Sequence, residues 1–330
     1  MSLERIISIP LRQNPRVTHA GVIINEHTLT AAQTRQHVDI LSRWFDFIHH
    51  DELLSRIQRP RRRPFCLLTF DDGKRSVYAE TAPELQRLGV PAVFYVTTHF
   101  LSGGQPLWFD RYEALLASLA CVPFGLEPST VKQLPFALLS DRIDRACERY
   151  GISIDPENDG TRAMSWEEAR ELCRRGFTVG AHGFEHVVLT RESESEALRG
   201  IERSIADVSA QTGVPCATFA FPNGNYTAGL AQHALECGVS TVMTTEPMWA
   251  GTHFPPWRLP RLQLFGPQSR LKIDLKLALA ATGHVLANPD GTGRLYRKIT
   301  RRSAGPGPVA TPIHVEARRG GLHVRGDYLK

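Results

Sequence analysis

The chain has 330 residues, of which 42% are hydrophobic and 22% are charged, and these values exclude a fibre or a wholly disordered chain. Its formal net charge of +5 is concentrated at the C-terminus, because residues 297–330 carry eight Lys and Arg against two acidic residues and the rest of the chain has a net charge of −1. The basic residues lack interleaved aromatic side chains, which argues against nucleic acid as a partner. Peripheral contact with an anionic membrane surface is an alternative role for the basic tail.

The cysteines and the N-terminus favour a cytoplasmic protein. The six cysteines form no C-x-x-C pair and lie mostly in apolar segments, which is typical of buried thiols in a reducing compartment rather than of a disulfide framework. Residues 1–15 contain too short an apolar segment for a secretory signal, and no apolar run reaches the length of a membrane span.

Residues 1–60 are predicted to form an irregular arm followed by an amphipathic helix. Apolar residues recur at intervals of three and four between Ala31 and Phe47, which gives a helix with one apolar face. We expect this helix to pack on the outside of the central domain.

A recurring joint between helix and strand indicates an α/β architecture. At four places a helical segment runs into a glycine and then into an apolar strand, as expected where glycine ends a helix in the left-handed conformation. The four glycines are Gly89, Gly176, Gly213 and Gly238. Ser165–Glu168 and Ser193–Glu196 also fit the capping box that starts a helix. Strands that alternate with helices predict parallel pairing and right-handed crossovers.

The segment Cys66–Gly73, with the sequence CLLTFDDG, carries the first chemical signal. Phe65–Phe70 predicts a buried strand, and Asp71 and Asp72 follow it directly. Catalytic and ligand-binding groups of α/β proteins lie at the carboxyl ends of strands, so we expect both carboxylates to face a pocket. The alternative is ordinary Asp-Gly turn chemistry.

A second strand end supplies imidazoles. Phe177–Ala181 is another apolar run, and it is followed by His182 and, four residues later, by His186. One carboxylate and two imidazoles form a ligand set that suits zinc or a similar divalent ion, with a position left open for water.

These residues resemble those of the polysaccharide deacetylases, hydrolases of the chitooligosaccharide deacetylase type (carbohydrate esterase family 4). The resemblance is carried by Thr69–Gly73 and by the later H-x-x-x-H. Val90–Val96 resembles the second strand of the family, and Ser165–His186 resembles the segment that leads into the histidines. The similarity extends over about Val17 to Leu264.

The resemblance implies a distorted (β/α) barrel of the NodB-like deacetylase type. It places the catalytic domain at residues 61–295, with an insert at about 103–160 that interrupts the regular spacing of elements. Residues 296–330, which include a Gly-Pro-Gly-Pro segment, are expected to form a disordered basic tail.

The resemblance also implies roles for the residues at the two strand ends. Asp72, His182 and His186 would hold a divalent metal ion, with Zn²⁺ the favoured ion. Asp71 would be the general base that activates the attacking water.

Other positions match the family less closely. Asn223 matches the position whose backbone N–H stabilises the oxyanion, and Arg261 is a candidate to orient the base because the arginine usual before that loop is absent. Trp108, in the insert, is a candidate to stack on a sugar ring, and the alternative is that it is a buried anchor for the insert. The histidine that serves as general acid has no clear match, and His253 and His284 are kept as candidates.

The sequence therefore predicts metal-dependent hydrolysis of an N-acetyl group from an N-acetylhexosamine in an oligosaccharide or polysaccharide precursor, with release of acetate. Two alternatives stay open. One is a cyclic-amide hydrolase of the same fold, similar to the allantoinase-like branch. The other is a carbohydrate-binding relic without catalysis, which the missing acid would explain.

Overall fold

The computed structural model describes residues 19–119, 121–264, 266–281, 284–286 and 295–297. Nine strands of this part of the chain form one sheet, and two more form a separate antiparallel pair. In chain order the strands are β1 (His19–Glu26), β2 (Asp46–Phe47), β3 (Phe65–Phe70), β4 (Ala92–Val96), β5 (Thr178–Ala181), β6 (Thr218–Ala220), β7 (Thr241–Met243), β8 (Ala250–Gly251), β9 (Leu262–Gln263), β10 (His284–Leu286) and β11 (Leu295–Arg297).

Helices connect most of these strands and cover the outer face of the sheet. In chain order they are α1 (Ala31–Leu41), α2 (Leu53–Gln58), α3 (Ala82–Leu88), α4 (Thr98–Leu101), α5 (Trp108–Ser118), α6 (Pro128–Val131), α7 (Phe136–Tyr150), α8 (Trp166–Arg174), α9 (Glu194–Thr212), α10 (Ala228–Glu236) and α11 (Arg270–Ala281). One π-helical turn, Val77–Thr81, leads into α3.

The sheet curls into a distorted barrel, which confirms the predicted fold class. Its order is β7-β6-β5-β4-β3-β1-β8, and the pairs from β7 to β1 are parallel. The segment that contains Leu259 and β9 connects the two edges of the sheet. Leu259 forms a β-bridge with Met243 at the end of β7, and β9 pairs with β1. The carboxyl ends of the parallel strands therefore meet at one rim.

The N-terminal part of the chain differs from the predicted arm. β1 pairs with β3 over six positions, from Gly21 opposite Phe65 to Glu26 opposite Phe70, so this segment belongs to the barrel. The expected helix is present but ends at Leu41, because the chain turns there toward β2. Residues 1–18, and nearly all of the tail predicted from residue 296, lie outside the described residues.

The predicted helix ends agree with the structure. The glycines at the four joints all have positive φ, between 65° and 102°. Both capping boxes are formed, with Ser165 at the start of α8 and Ser193 at the start of α9. The capping boxes thus mark where these helices begin, and the glycines mark where the helices end before a strand.

The alternation of side chains along β3 determines the face to which Asp71, the first carboxylate of the motif, points. Phe65 and Leu67 belong to the hydrophobic cluster inside the barrel, whereas Cys66 and Leu68 belong to the cluster between sheet and helices. Because successive side chains of a strand point to opposite faces, the inward series continues to Asp71. The first carboxylate of the motif is thereby aimed into the barrel.

Substitution of Gly21 tests how closely β1 packs against β3. A Cβ at this position would lie 2.5 Å from Cγ of the Phe65 ring and would also meet the Phe65 carbonyl oxygen. We expect Gly21→Ala to lower the free energy of unfolding by about 1–3 kcal/mol, as overpacking of a tight site does. Urea denaturation would measure the change.

Gly229→Ala is the matched control. Gly229 is exposed in α10, and a Cβ there would lie 3.9 Å from Oγ1 of Thr227, an ordinary van der Waals distance, so this substitution should stabilise the fold by about 0.4–1 kcal/mol. Equal stability of the two variants would contradict the tight pairing of β1 with β3.

Candidate metal centre and active site

The ends of β3, β4 and β5 bring the two predicted motifs together. Phe70 is paired with Phe94 and Val96 with Ala181, so the residues that follow β3 and β5 emerge at the same rim. The loops are also connected through the backbone. The N–H of Thr97 donates to the carbonyl of Asp72 at 3.2 Å.

Asp72, His182 and His186 converge in the rim cavity. One ligand atom of each lies within 4.8 Å of the others, and all three side chains are buried. Oδ1 of Asp72 is 3.3 Å from Nε2 of His186 and 3.9 Å from Nε2 of His182. Two ligands of a tetrahedral zinc ion are about 3.4 Å apart, given bonds of about 2.0–2.1 Å.

The state of these side chains fits a divalent cation. Within the described chain, neither carboxylate oxygen of Asp72 has a hydrogen-bond partner, although the residue is only 1% exposed. A buried carboxylate without such partners is costly unless a cation compensates it. Two imidazoles and one carboxylate are also the donor set of many catalytic zinc sites.

His182 is held in the form that a metal ligand requires. Its Nδ1 donates to the carbonyl of Ala220 at 2.9 Å, which directs Nε2 toward Asp72. Burial lowers the pKa of His182 to about 4, so the ring is neutral at pH 7. Burial would raise the pKa of Asp72, but His27, His186 and Lys74 hold it well below its usual range.

Asp71 is held by a buried guanidinium. Nη1 and Nη2 of Arg261 donate to its two carboxylate oxygens at 2.7 and 2.9 Å, and Arg261 is fully buried. Nε of Arg261 donates to the carbonyl of Thr244 at 3.0 Å, which fixes the orientation of the guanidinium group. Burial would raise the pKa of Asp71, but Arg261 and His182 lower it, so the carboxylate is ionised at neutral pH.

Backbone strain is concentrated around this cavity. Among the described residues, the non-glycine residues with positive φ are Asp72 at 78°, His186 at 55° and Asn223 at 57°, and all three line the cavity. The left-handed conformation costs a residue with a Cβ about 1–2 kcal/mol. Strain of this kind collects where function requires a specific geometry.

The insert packs directly behind the histidines through α5. Nε1 of Trp108 donates to the carbonyl of His186 at 3.1 Å, and the Phe109 ring lies edge-on to the His186 ring with centroids 5.0 Å apart. Asp110 forms a buried ion pair with Lys74 at 2.6 Å. Trp108 is only 3% exposed and lines the cavity, and its contacts with His186 anchor the insert there.

The cavity also contains residues that the sequence analysis missed. Its volume is about 230 Å³, and its lining includes His27 and Lys132 besides the predicted Asn223. His27 follows β1, and the apolar run Ala20–Ile24 before it repeats the pattern of a strand that ends in polar residues. Reading that run as a strand would have placed His27 at the rim. Lys132 lies in the insert, where no sequence pattern pointed to it.

His253 is not in this cavity. It lies two residues beyond Gly251, and Gly251 is paired with His19 at the start of β1. The rim with Asp71 lies at the other end of that strand, roughly 23 Å away for eight residues of β-structure. His253 therefore cannot reach a group at the cavity. His284 is in β10, whose side chains lie outside the described residues.

A profile of the polysaccharide deacetylase family matches residues 58–242, which is more than half of the chain. The chain belongs to the polysaccharide deacetylase family. This deacetylase is thus a hydrolase that acts on carbohydrate N-acetyl groups. No curated protein sequence matches it at a significant level.

Solved structures of deacetylases share the fold of this deacetylase. The Streptococcus pyogenes deacetylase PplD in complex with acetate has 14% identity and a TM-score of 0.57, and the similarity covers 79% of this chain and 99% of PplD. IcaB from Ammonifex degensii has 18% identity and a TM-score of 0.53, with 79% and 98% covered. The deacetylase domain of BpsB from Bordetella bronchiseptica has 16% identity and a TM-score of 0.51, with 74% and 96% covered.

The Asp71–Arg261 pair generates a stability prediction. Arg261→Met would leave a buried carboxylate without its cation, and we expect a loss of about 3–5 kcal/mol in the free energy of unfolding. The double variant Asp71→Asn/Arg261→Met should lose clearly less than the sum of the single variants, because no charge is then stranded. Chemical denaturation of the three variants measures the coupling.

Arg145→Met is the control for loss of an arginine from an ion pair. Arg145 is 77% exposed in its pair with Asp141, so its removal should change stability by no more than about 1 kcal/mol. If Arg261→Met had an equally small effect, the pair would not be the buried contact described above.

Proposed function

We propose that the chain is a metal-dependent deacetylase that releases acetate from an N-acetylhexosamine in an oligosaccharide or polysaccharide precursor. The observation that carries the proposal is the buried group of Asp72, His182 and His186 beside an ionised Asp71 that Arg261 orients. The family match supplies the reaction class. The residues described below supply the chemistry.

Asp72, His182 and His186 would hold the cation, with Zn²⁺ the favoured ion for this donor set. When bound, a divalent ion lowers the pKa of water and polarises an amide carbonyl. Asp71 is the general base that accepts a proton from the attacking water. Arg261 keeps the Asp71 carboxylate ionised and aimed at the cavity, which is the state that a base requires.

His27 is the group that we assign to protonate the leaving nitrogen. It lies at the end of β1, lines the cavity and is partly exposed to it. Asp71 and Asp72 line the same cavity, so His27 shares the space in which the proposed base and the proposed metal ligands lie. Histidine is the usual side chain for proton transfer near neutral pH.

Asn223 is the proposed oxyanion donor. The left-handed backbone of this residue, with φ of 57°, turns the loop after β6 at the cavity. A backbone N–H from such a loop stabilises the negative charge that develops on the carbonyl oxygen.

We infer a cytoplasmic location and a precursor as substrate. All six cysteines are free thiols in the structure, which supports a reducing compartment. Among the described residues, no helix is both long and apolar enough to cross a bilayer.

Removal of the carboxylate ligand tests the metal site. Asp72→Asn should lower Zn²⁺ affinity by on the order of 100-fold or more and abolish acetate release, because second-shell changes alone cost 10–100-fold. Calorimetric zinc titration and mass spectrometry of acetylated glycans are the measurements. Asp39→Asn, at an exposed position of α1, is the control that should leave both unchanged. Full acetate release by chelated Asp72→Asn protein would contradict the proposal.

The role of His27 is tested by comparing two substrates whose leaving groups differ in their need for a proton. His27→Gln should lower kcat on an N-acetylated sugar by on the order of 10²–10⁴-fold, the usual contribution of a general acid. Zinc affinity should stay near that of the unchanged chain. On an aryl acetate, whose leaving group needs no proton, the variant should keep most of its activity.

His49→Gln, at an exposed position outside the cavity, is the control for this experiment. An equal loss of activity on amide and aryl ester in His27→Gln would mean that His27 does not deliver the proton.

A further inference from the structure

We propose that Lys132 recognises an anionic substituent, a carboxylate or a phosphate, on the acetylated glycan. The inference rests on the proposed function and adds a charge requirement to its substrate. Lys132 directly follows α6 in the insert and lines the same cavity as Asp72, His182 and His186. A cation is thus built into the wall of the site by a segment outside the regular barrel.

The Lys132 side chain connects the insert to the loop after β6. Its Nζ donates to Oδ1 of Asn223 at 2.6 Å, which joins the insert to the loop after β6. The amide of Asn223 is itself positioned, because its Nδ2 donates to Oδ1 of Asn225. An ammonium has three N–H donors, so the bond to one neutral oxygen leaves capacity for a ligand.

No carboxylate of the described chain neutralises Lys132. The structure contains no ion pair to this residue among the described side chains. Burial lowers the pKa of the Lys132 ammonium. The acidic residues that line the cavity contact groups other than Lys132. Asp71 is paired with Arg261, and Asp72 faces the two histidines.

This charge distribution discriminates between substrates. A glycan that fills the cavity removes more water from the ammonium, and a partly desolvated charge without a partner is unfavourable. A neutral glycan leaves that cost uncompensated. A glycan with a carboxylate or phosphate near its N-acetylhexosamine supplies the missing partner, and a charge-assisted hydrogen bond forms.

Binding without turnover is the first measurement. The chelated full-length protein is titrated with three matched N-acetylhexosamine oligosaccharides, of which one is neutral, one carries a uronic acid carboxylate and one carries a phosphate. We expect on the order of tenfold tighter binding of at least one charged glycan than of the neutral one. The difference should shrink at high salt, because screening weakens it.

Three variants separate recognition from catalysis. Lys132→Met, which keeps much of the side-chain length without the charge, should abolish the preference, and Lys132→Arg should keep most of it. Gln133→Met, at the exposed neighbouring position, is the matched control and should behave like the unchanged chain. In acetate release, Lys132→Met should raise KM for the charged glycan and lower KM for the neutral glycan, because the uncompensated cost of desolvating the ammonium is removed.

The outcomes distinguish this inference from the proposed function. Tighter binding of the carboxylate or of the phosphate glycan identifies which anion is recognised. Equal affinity for the three glycans, or no binding of either charged one, overturns the inference whether or not acetate is released. A uniform loss of kcat on every substrate in Lys132→Met also overturns it, because it would place Lys132 at the developing oxyanion. Absence of acetate release from all substrates would contradict the proposed function instead.

Discussion

The parallel register of β3, β4 and β5 is the constraint on which the site depends. Each of these strands stops at the same rim, so the residues that follow β3 and β5 meet although they lie more than a hundred positions apart in sequence. A shift of one residue in either pair would turn every side chain to the other face of the sheet. The alternation along β3 then aims Asp71 inward, and the cavity forms where the loops diverge.

Two adjacent carboxylates acquire different surroundings at this rim. Asp71 continues the inward series of β3 and meets the buried guanidinium of Arg261. Asp72 adopts a left-handed backbone, which turns its side chain toward His182 and His186. Asp71 thus has a bidentate guanidinium partner, whereas Asp72 faces the two imidazoles and has no hydrogen-bond partner among the described residues. In the proposed function, this division separates a base from a ligand within a single dipeptide.

The insert is part of the site as well as of its outer wall. The buried pair of Lys74 and Asp110 ties the start of α5 to the loop of the first motif. Trp108 and Phe109 then support His186 from behind, and Lys132 closes the side that faces Asn223. Insertion of a segment beside a family site in this way can change which glycan is bound without altering the residues that carry out the reaction.

The sequence by itself determined the strand of the first motif, the capped helices and the grouping of Asp72 with two histidines, because these signals are local or follow directly from strand ends. Only the tertiary structure decided that Arg261 meets Asp71, since the two residues are 190 positions apart and join only when the barrel closes. The same holds for His27 and Lys132. The apolar run before His27 indicates the end of a strand, but its pairing with β3 and the packing of the insert around Lys132 depend on contacts that are distant in sequence.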